Sequence, residues 1–218
     1  IIYSALLTPQ GKLVTDFFLA DLGQDILIDV NSTVSETLLK LLNLYKLRAE
    51  VSIEKTDLKV STGINNKPHK GLEDPRHPKM GWRCYVDQEI SEKNIDWKKL
   101  RIENLIPEFA KELSSDSYIL EYGFEKLNGV DFKKGCYVGQ EVTARMKHKT
   151  KLRKGLAIVQ TTGSVPFNTP IHANNKIVGK VLSSVNGQAL AYLRFDFTSQ
   201  KMMAGEIEIT YHGNNFIE

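Results

Sequence analysis

The last third of the chain is built from short runs rich in β-branched residues: Gly155 to Gln160, Ile177 to Ser184, Ala189 to Arg194 and Glu206 to Tyr211. Asn186-Gly187 separates the second run from the third. Both residues tolerate the positive φ that a two-residue type I′ hairpin turn demands. Runs this short cannot bury a face alone. A sheet closed on itself solves that problem and leaves no exposed edge. The pattern predicts an antiparallel β-barrel over residues 153–218, preceded by a different α/β region over residues 1–152.

In that first region Phe17 to Ala20 and Ile26 to Val30 read as strands around the turn Leu22-Gly23-Gln24-Asp25. Thr33-Val34-Ser35-Glu36 has the form of a capping box, and Val34, Leu38, Leu41, Leu42 and Tyr45 then recur at helical spacing. Further strands are expected at Val51 to Glu54, around Leu58 to Ser61, and at Arg83 to Val86. The proline-bearing stretch from Asn65 to Pro78 reads as a loop. Asp96 to Leu105 reads as a short helix that must end before Pro107, with another helical turn over Pro107 to Leu113. The chain begins Ile1-Ile2-Tyr3 as though in mid-strand, so residues before Ile1 are expected.

Composition narrows the class. Of the 218 residues 41% are hydrophobic and 25% charged, which suits a folded domain with a core. The net charge of +3 is too small to argue for nucleic acid by itself. No apolar run reaches membrane-spanning length. Cys84 and Cys136 are the two cysteines, far apart and outside any CxxC pair. This argues for a reducing compartment and against a disulfide scaffold. His69, His77, His148, His172 and His212 are scattered without metal-pair spacing, and no resident metal site is expected.

Cys136 lies in Lys133-Lys134-Gly135-Cys136-Tyr137-Val138-Gly139-Gln140-Glu141, with Arg145, Lys147, His148, Lys149, Lys151, Arg153 and Lys154 behind it. Cations beside a thiol favour its thiolate form, which is the nucleophile and metal ligand. Gly135 and Gly139 allow a tight turn that presents the sulfur. Gln140-Glu141 reads as a helix start whose backbone dipoles would add to the same field. The cation run is either a solvated face or a dock for an anion. Cys84, alternating with apolar neighbours in Trp82-Arg83-Cys84-Tyr85-Val86, reads as a packed strand residue.

Three stretches together resemble one family. They are Leu6-Leu7-Thr8-Pro9-Gln10-Gly11-Lys12 running into Asp16-Phe17-Phe18, then Asp74-Pro75-Arg76 with Gly81-Trp82-Arg83, and above all Lys134-Gly135-Cys136-Tyr137-Val138-Gly139-Gln140-Glu141. The chain is similar to YgfZ-type folate-binding proteins, relatives of the glycine-cleavage aminomethyltransferase. The resemblance implies an α+β, multi-domain folate-binding fold closed by a C-terminal antiparallel barrel. It implies a tetrahydrofolate-binding factor that helps assemble or repair iron–sulfur clusters in client enzymes, RNA-modifying enzymes among them. The alternative it implies is a folate-dependent aminomethyl or one-carbon transferase.

Under this resemblance Cys136 and Lys134 carry the chemistry. Tyr137, Gly139, Gln140, Glu141, Arg145 and Asp16 bind the folate. The expected partners are folate and iron–sulfur client or assembly proteins, with no nucleic acid and no membrane. The expected location is the cytoplasm, or the mitochondrial matrix in a eukaryote. A cluster of four irons normally takes four thiolates, and this chain offers one good candidate, so any cluster must be transient and shared. Thr15 stands where the aminomethyltransferases have the first of two acidic residues, which argues against aminomethyl transfer.

Overall fold

The computed structural model describes residues 1–149 and 152–216, so Lys151 of the basic run and the last two residues of the expected barrel lie outside the described residues. Strands β1 (Ile2–Leu7), β2 (Leu13–Asp21) and β3 (Ile26–Val30) form an antiparallel meander. Its register sets Ala5 opposite Asp16 and Phe18 opposite Asp29. A second sheet, of order β4-β6-β5, consists of β4 (Lys59–Gly63), β5 (Leu72–Glu73) and β6 (Trp82–Val86). Helices α1 (Ser35–Tyr45), α2 (Trp97–Glu103) and α3 (Gln140–Lys149) lie between and after these sheets in sequence.

The barrel is closed. Strands β7 (Lys154–Thr161), β8 (Pro170–Ala173), β9 (Lys176–Val185), β10 (Gln188–Arg194), β11 (Met202–Ala204) and β12 (Ile207–Asn215) run in the order β10-β7-β12-β11-β8-β9. The two-residue turn at Asn186 (φ 46°) and Gly187 (φ 78°) joins β9 to β10 as its sequence demands. Four of the six strands are the runs read from sequence. β8 and β11 have only four and three residues, too few to show a period-2 pattern.

The barrel does not stand apart. Leu156, Leu182 and Leu190 from its strands share one core with Tyr3, Leu13, Ile102, Phe124 and Leu127. A polar tie crosses the same junction: the Tyr192 hydroxyl donates to Glu121 Oε2 at 2.6 Å, and the Tyr192 ring stacks on Tyr122 at 5.5 Å. Burial and the acceptor Glu121 both push the Tyr192 phenol far above its usual range.

Several local expectations fail for identifiable reasons. The capping box does not form. Asn31 Oδ1 accepts from the Thr33 amide at 3.0 Å and from its hydroxyl at 2.7 Å, which starts a 3-10 turn over Ser32–Val34 ahead of α1. Glu36 pairs with Lys55 instead. Val51 to Glu54 is not a strand; its polar groups are met locally, by Lys46 Nζ on Val51 O at 2.7 Å and Ser52 Oγ on Glu54 Oε1 at 2.6 Å. Pro107 to Leu113 is not helical, because Ala110 adopts φ 61° and Glu112 folds back so that its Oε2 accepts the Glu108 amide at 2.9 Å. The expected loop from Asn65 to Pro78 contains the two-residue strand β5.

Candidate functional site

Two places carry the chemistry-bearing residues, and they differ in kind. The first is a cleft of about 410 Å3 between the two small sheets and α2, within the size range of small-molecule sites. Asp16 and Phe18 reach it from β2, Asp29 from β3, Arg83 from β6, Trp97 and Arg101 from α2. Register explains the meeting of Phe18 and Asp29, which are directly opposed across β2 and β3.

The cleft's cations are all held by carboxylates. Arg76 forms a two-pronged pair with Asp74, Nε to Oδ1 at 3.0 Å and Nη2 to Oδ2 at 2.7 Å, while the Arg76 amide donates to the same Oδ1 at 3.0 Å. Burial works against the Arg76 charge, but Asp74 outweighs it and leaves that guanidinium above its usual range. Arg83 grips Asp29 Oδ2 through Nε at 3.0 Å and Nη2 at 2.5 Å, and the Tyr85 hydroxyl donates to the same oxygen at 3.2 Å. Both guanidiniums lie over Phe18, Arg83 at 4.1 Å and Arg76 at 4.8 Å from its centroid. Arg101 is held by Glu112, Glu108 and the Ile106 carbonyl, with Nη2 and Glu112 Oε1 buried and without a hydrogen-bond partner.

Asp16 is different. The hydrogen bond into its carboxylate comes from the neutral Tyr3 hydroxyl at 2.7 Å, and no salt bridge within 4.0 Å engages it among the described residues. Burial pushes the Asp16 carboxyl above the usual carboxylate range, with the Tyr3 bond opposing. A carboxylate facing a cleft without a cationic partner is ready to accept N–H groups from a ligand. Thr15, its neighbour, is fully buried, donates its hydroxyl to Asp16 O at 3.1 Å and does not line the cleft.

The second place is the loop from Asp131 to Gly139 together with α3. Cys136 is exposed there, whereas Cys84 is buried in β6 opposite Ser61. Asp131 Oδ1 accepts the Lys133 amide at 2.7 Å and starts the turn. Gln140 Oε1 accepts the Tyr137 amide at 3.2 Å and closes it. The helix start after Cys136 is where the sequence puts it. Gly139 is the seat. Its φ is 81°, and a Cβ there would come within 2.6 Å of Thr8 O and 3.0 Å of Gly11 Cα. Gly11 in turn lies against Val142 of α3. Only two glycines allow the β1–β2 turn and the start of α3 to approach this closely.

The remaining motif residues also serve this face. Tyr137 packs against the main core, its hydroxyl buried without a partner of acceptable geometry, and burial pushes its phenol up. Lys134 Nζ lies 5.2 Å from the Tyr137 ring centroid. Glu141 pairs with Arg145 at 2.9 Å on the exposed side of α3. His148 meets Phe132 edge-on at 5.9 Å.

Of the residues expected to bind folate, then, Asp16 lines the cleft. Tyr137, Gly139, Gln140, Glu141 and Arg145 gather around Cys136 and Lys134 instead. The structure adds Arg76, Arg83, Asp29 and Asp74 to the cleft. The sequence marks Asp74-Pro75-Arg76 and Gly81-Trp82-Arg83 only as parts of a resemblance; Asp29, the partner that explains Arg83, carries no local signal. Among the described residues no group of three or more His, Cys, Asp or Glu is placed to hold a metal ion, and no helix is long and apolar enough to cross a membrane.

Residues 153–214 match the sequence family described as CAF17, C-terminal beta-barrel domain. The chain is similar to the protein named iron-sulfur cluster assembly factor IBA57 homolog, mitochondrial, of Neurospora crassa: 31% identical over 203 residues, covering 75% of this chain and 46% of that one. It is also similar to the iron-sulfur cluster assembly factor IBA57, mitochondrial, of Homo sapiens, 29% identical over 227 residues, covering 88% of this chain and 64% of that one. The chain thus spans about half to two thirds of the length of these relatives. Their name is IBA57 rather than YgfZ, and it places those relatives in mitochondria. Over its whole length the chain superposes on the crystal structure of glycine cleavage system aminomethyltransferase T from Bartonella henselae, with TM-score 0.73, 11% identity and 76% of that chain covered. That likeness establishes the fold, an aminomethyltransferase-like α+β fold with a C-terminal six-stranded barrel.

Proposed function

We propose that this protein is an assembly factor for iron–sulfur clusters, acting in mitochondria, with Cys136 as a transient ligand that shares a cluster with a partner. The observation that carries this reading is the exposed thiol on a turn fixed by the Gly139 seat, in a chain similar to proteins named for that task. A single presented cysteine sulfur cannot close a cluster, so the cluster is cargo passing between chains. The similarity to IBA57 and the shared motif order support a common role with YgfZ-type relatives.

A folate fits the cleft. The volume is adequate, Trp97 and Phe109 offer half-buried aromatic side chains, and Asp16 offers a carboxylate with no ion pair within 4.0 Å among the described residues. Asp16 would accept N–H groups of the pterin, and Trp97 and Phe109 would pack on its flat ring surface. A bound tetrahydrofolate supplies nitrogen atoms that carry one carbon. The aminomethyl-transfer alternative gains little here, since the chain holds one carboxylate where two are needed and Thr15 points away from the cleft.

The test is rescue of cluster-dependent enzyme activity, such as aconitase, in cells lacking the endogenous factor. The full-length protein should restore activity, and Cys136→Ala should not. Full restoration by Cys136→Ala removes the thiol role.

A further inference from the structure

We infer that the face formed by the Cys136 loop and α3 docks the acidic surface of a partner protein, and that Gly135 keeps the space through which the partner's chain reaches the thiol. The inference rests on the proposed assembly role only for naming the partner as a cluster carrier.

Charge is the first argument. Residues 131–149 hold five Lys and Arg against two Asp and Glu, a surplus of three that equals the surplus of the entire chain, 29 against 26. The rest of the protein is therefore neutral, and the excess is concentrated around Cys136. Loop and helix form one surface, because Phe132 of the loop meets His148 edge-on at 5.9 Å and lies 5.7 Å beneath Lys147 Nζ. Arg145 is paired with Glu141 and Lys147 with Glu125. Lys133, Lys134 and Lys149 have no carboxylate within 4.0 Å among the described residues, and all three are exposed. Val138, 43% exposed, places an apolar group two residues from the thiol. An exposed apolar group beside Cys136, with exposed cations before it in the loop and at the far end of α3, suits an acidic partner surface with an apolar contact.

Space is the second argument. A Cβ built on Gly139 collides with backbone, but among the described residues one built on Gly135 meets no atom within 4 Å. No described residue therefore requires glycine at 135. The clearance beside Cys136 lies outside the molecule, where an approaching chain would occupy it.

The test measures disulfide exchange with matched short peptides. Each carries one cysteine activated as a mixed disulfide with thionitrobenzoate, flanked by glutamates, glutamines or lysines. The Cys136 sulfur attacks the peptide sulfur, the new S–S bond forms, and thionitrobenzoate leaves with the electron pair of the broken bond and is read by its absorbance. Cys84 is 1% exposed and should stay silent, which a Cys136→Ser control verifies. Each rate is divided by that of N-acetylcysteine with the same peptide. The glutamate peptide should outpace the lysine peptide by on the order of tenfold at low salt. The preference should fade near 1 M salt, where the screening length is about 3 Å. Lys133→Glu with Lys149→Glu should reverse it. Gly135→Val should slow every peptide severalfold while leaving the rate with neutral dithiodipyridine and the unfolding midpoint unchanged. Equal low-salt rates for glutamate and lysine peptides overturn the acidic partner, and a Gly135→Val rate on peptides equal to wild type overturns the clearance. These rates involve neither folate nor cluster, so failure here is separable from failure of the rescue assay.

Discussion

In the cleft, Arg76 rests on Asp74 and Arg83 on Asp29, with both guanidiniums over Phe18 and little water around them. On the Cys136 face, Lys133, Lys134 and Lys149 are exposed, with no carboxylate within 4.0 Å among the described residues. The same residue types thus do opposite work. Buried pairs define a rigid shape and cancel their own field, so the cleft selects by geometry and by Asp16, whose carboxylate has no ion pair within 4.0 Å among the described residues. Exposed unpaired cations define no shape but project a field, so the Cys136 face selects by charge. A small planar ligand suits the former and a macromolecular partner the latter.

The largest break in this contrast should come from leaving one cleft charge alone. Asp74→Ala strands Arg76 in the interior and should cost about 3–5 kcal/mol in denaturant unfolding. Asp74→Leu with Arg76→Met should recover much of that loss. A cost below 1 kcal/mol for Asp74→Ala would mean that the pair is solvated and the cleft not rigid.

Next in size is the seat of the Cys136 loop. Gly139→Ala forces a Cβ toward Thr8 O at a φ of 81°, and should cost about 1–3 kcal/mol. Gly135→Ala should stay within about 0.5 kcal/mol. Equal costs for the two would erase the distinction between a structural and a clearance glycine.

A smaller effect is pH-dependent. Asp16 has a folded pKa raised above its unfolded value of about 3.9. The folded state therefore binds the proton more tightly, and stability is lost as pH climbs from the unfolded value through the raised one. Asp16→Asn keeps an acceptor for Tyr3 and escapes this loss. Its advantage over wild type should be present at pH 7 and shrink as pH falls toward 4 in unfolding titrations. An advantage independent of pH would show that Asp16 titrates as a free carboxyl.

The smallest effect concerns stability on the charged face. Lys133→Gln and Lys149→Gln should each move the unfolding midpoint by an amount equivalent to less than about 0.5 kcal/mol, since both lysines are exposed and neither has an ion-pair partner among the described residues.

Legibility in the sequence followed the range of the interactions. The Asn186-Gly187 hairpin and the start of α3 are local, set by a few adjacent residues, and both read directly. So did the presentation of Cys136, whose turn is closed by neighbours at 131, 139 and 140. The cleft was legible only through the resemblance, which gives Asp16 a role and marks Phe18, Asp74, Arg76 and Arg83 without showing how they meet. Arg83 finds Asp29 from 54 residues away, and only the register of two sheets brings them together. The capping box failed for a subtler reason: Asn31, just upstream, competes for the same Thr33 amide and wins.

The division of labour between the two places is tested most directly by calorimetric titration with tetrahydrofolate of wild type, Cys136→Ala and Asp16→Asn. The account predicts unchanged affinity for Cys136→Ala and a loss of at least about tenfold for Asp16→Asn, the worth of one charge-assisted hydrogen bond. Folate binding that vanishes with Cys136 and survives without the Asp16 carboxylate would contradict it.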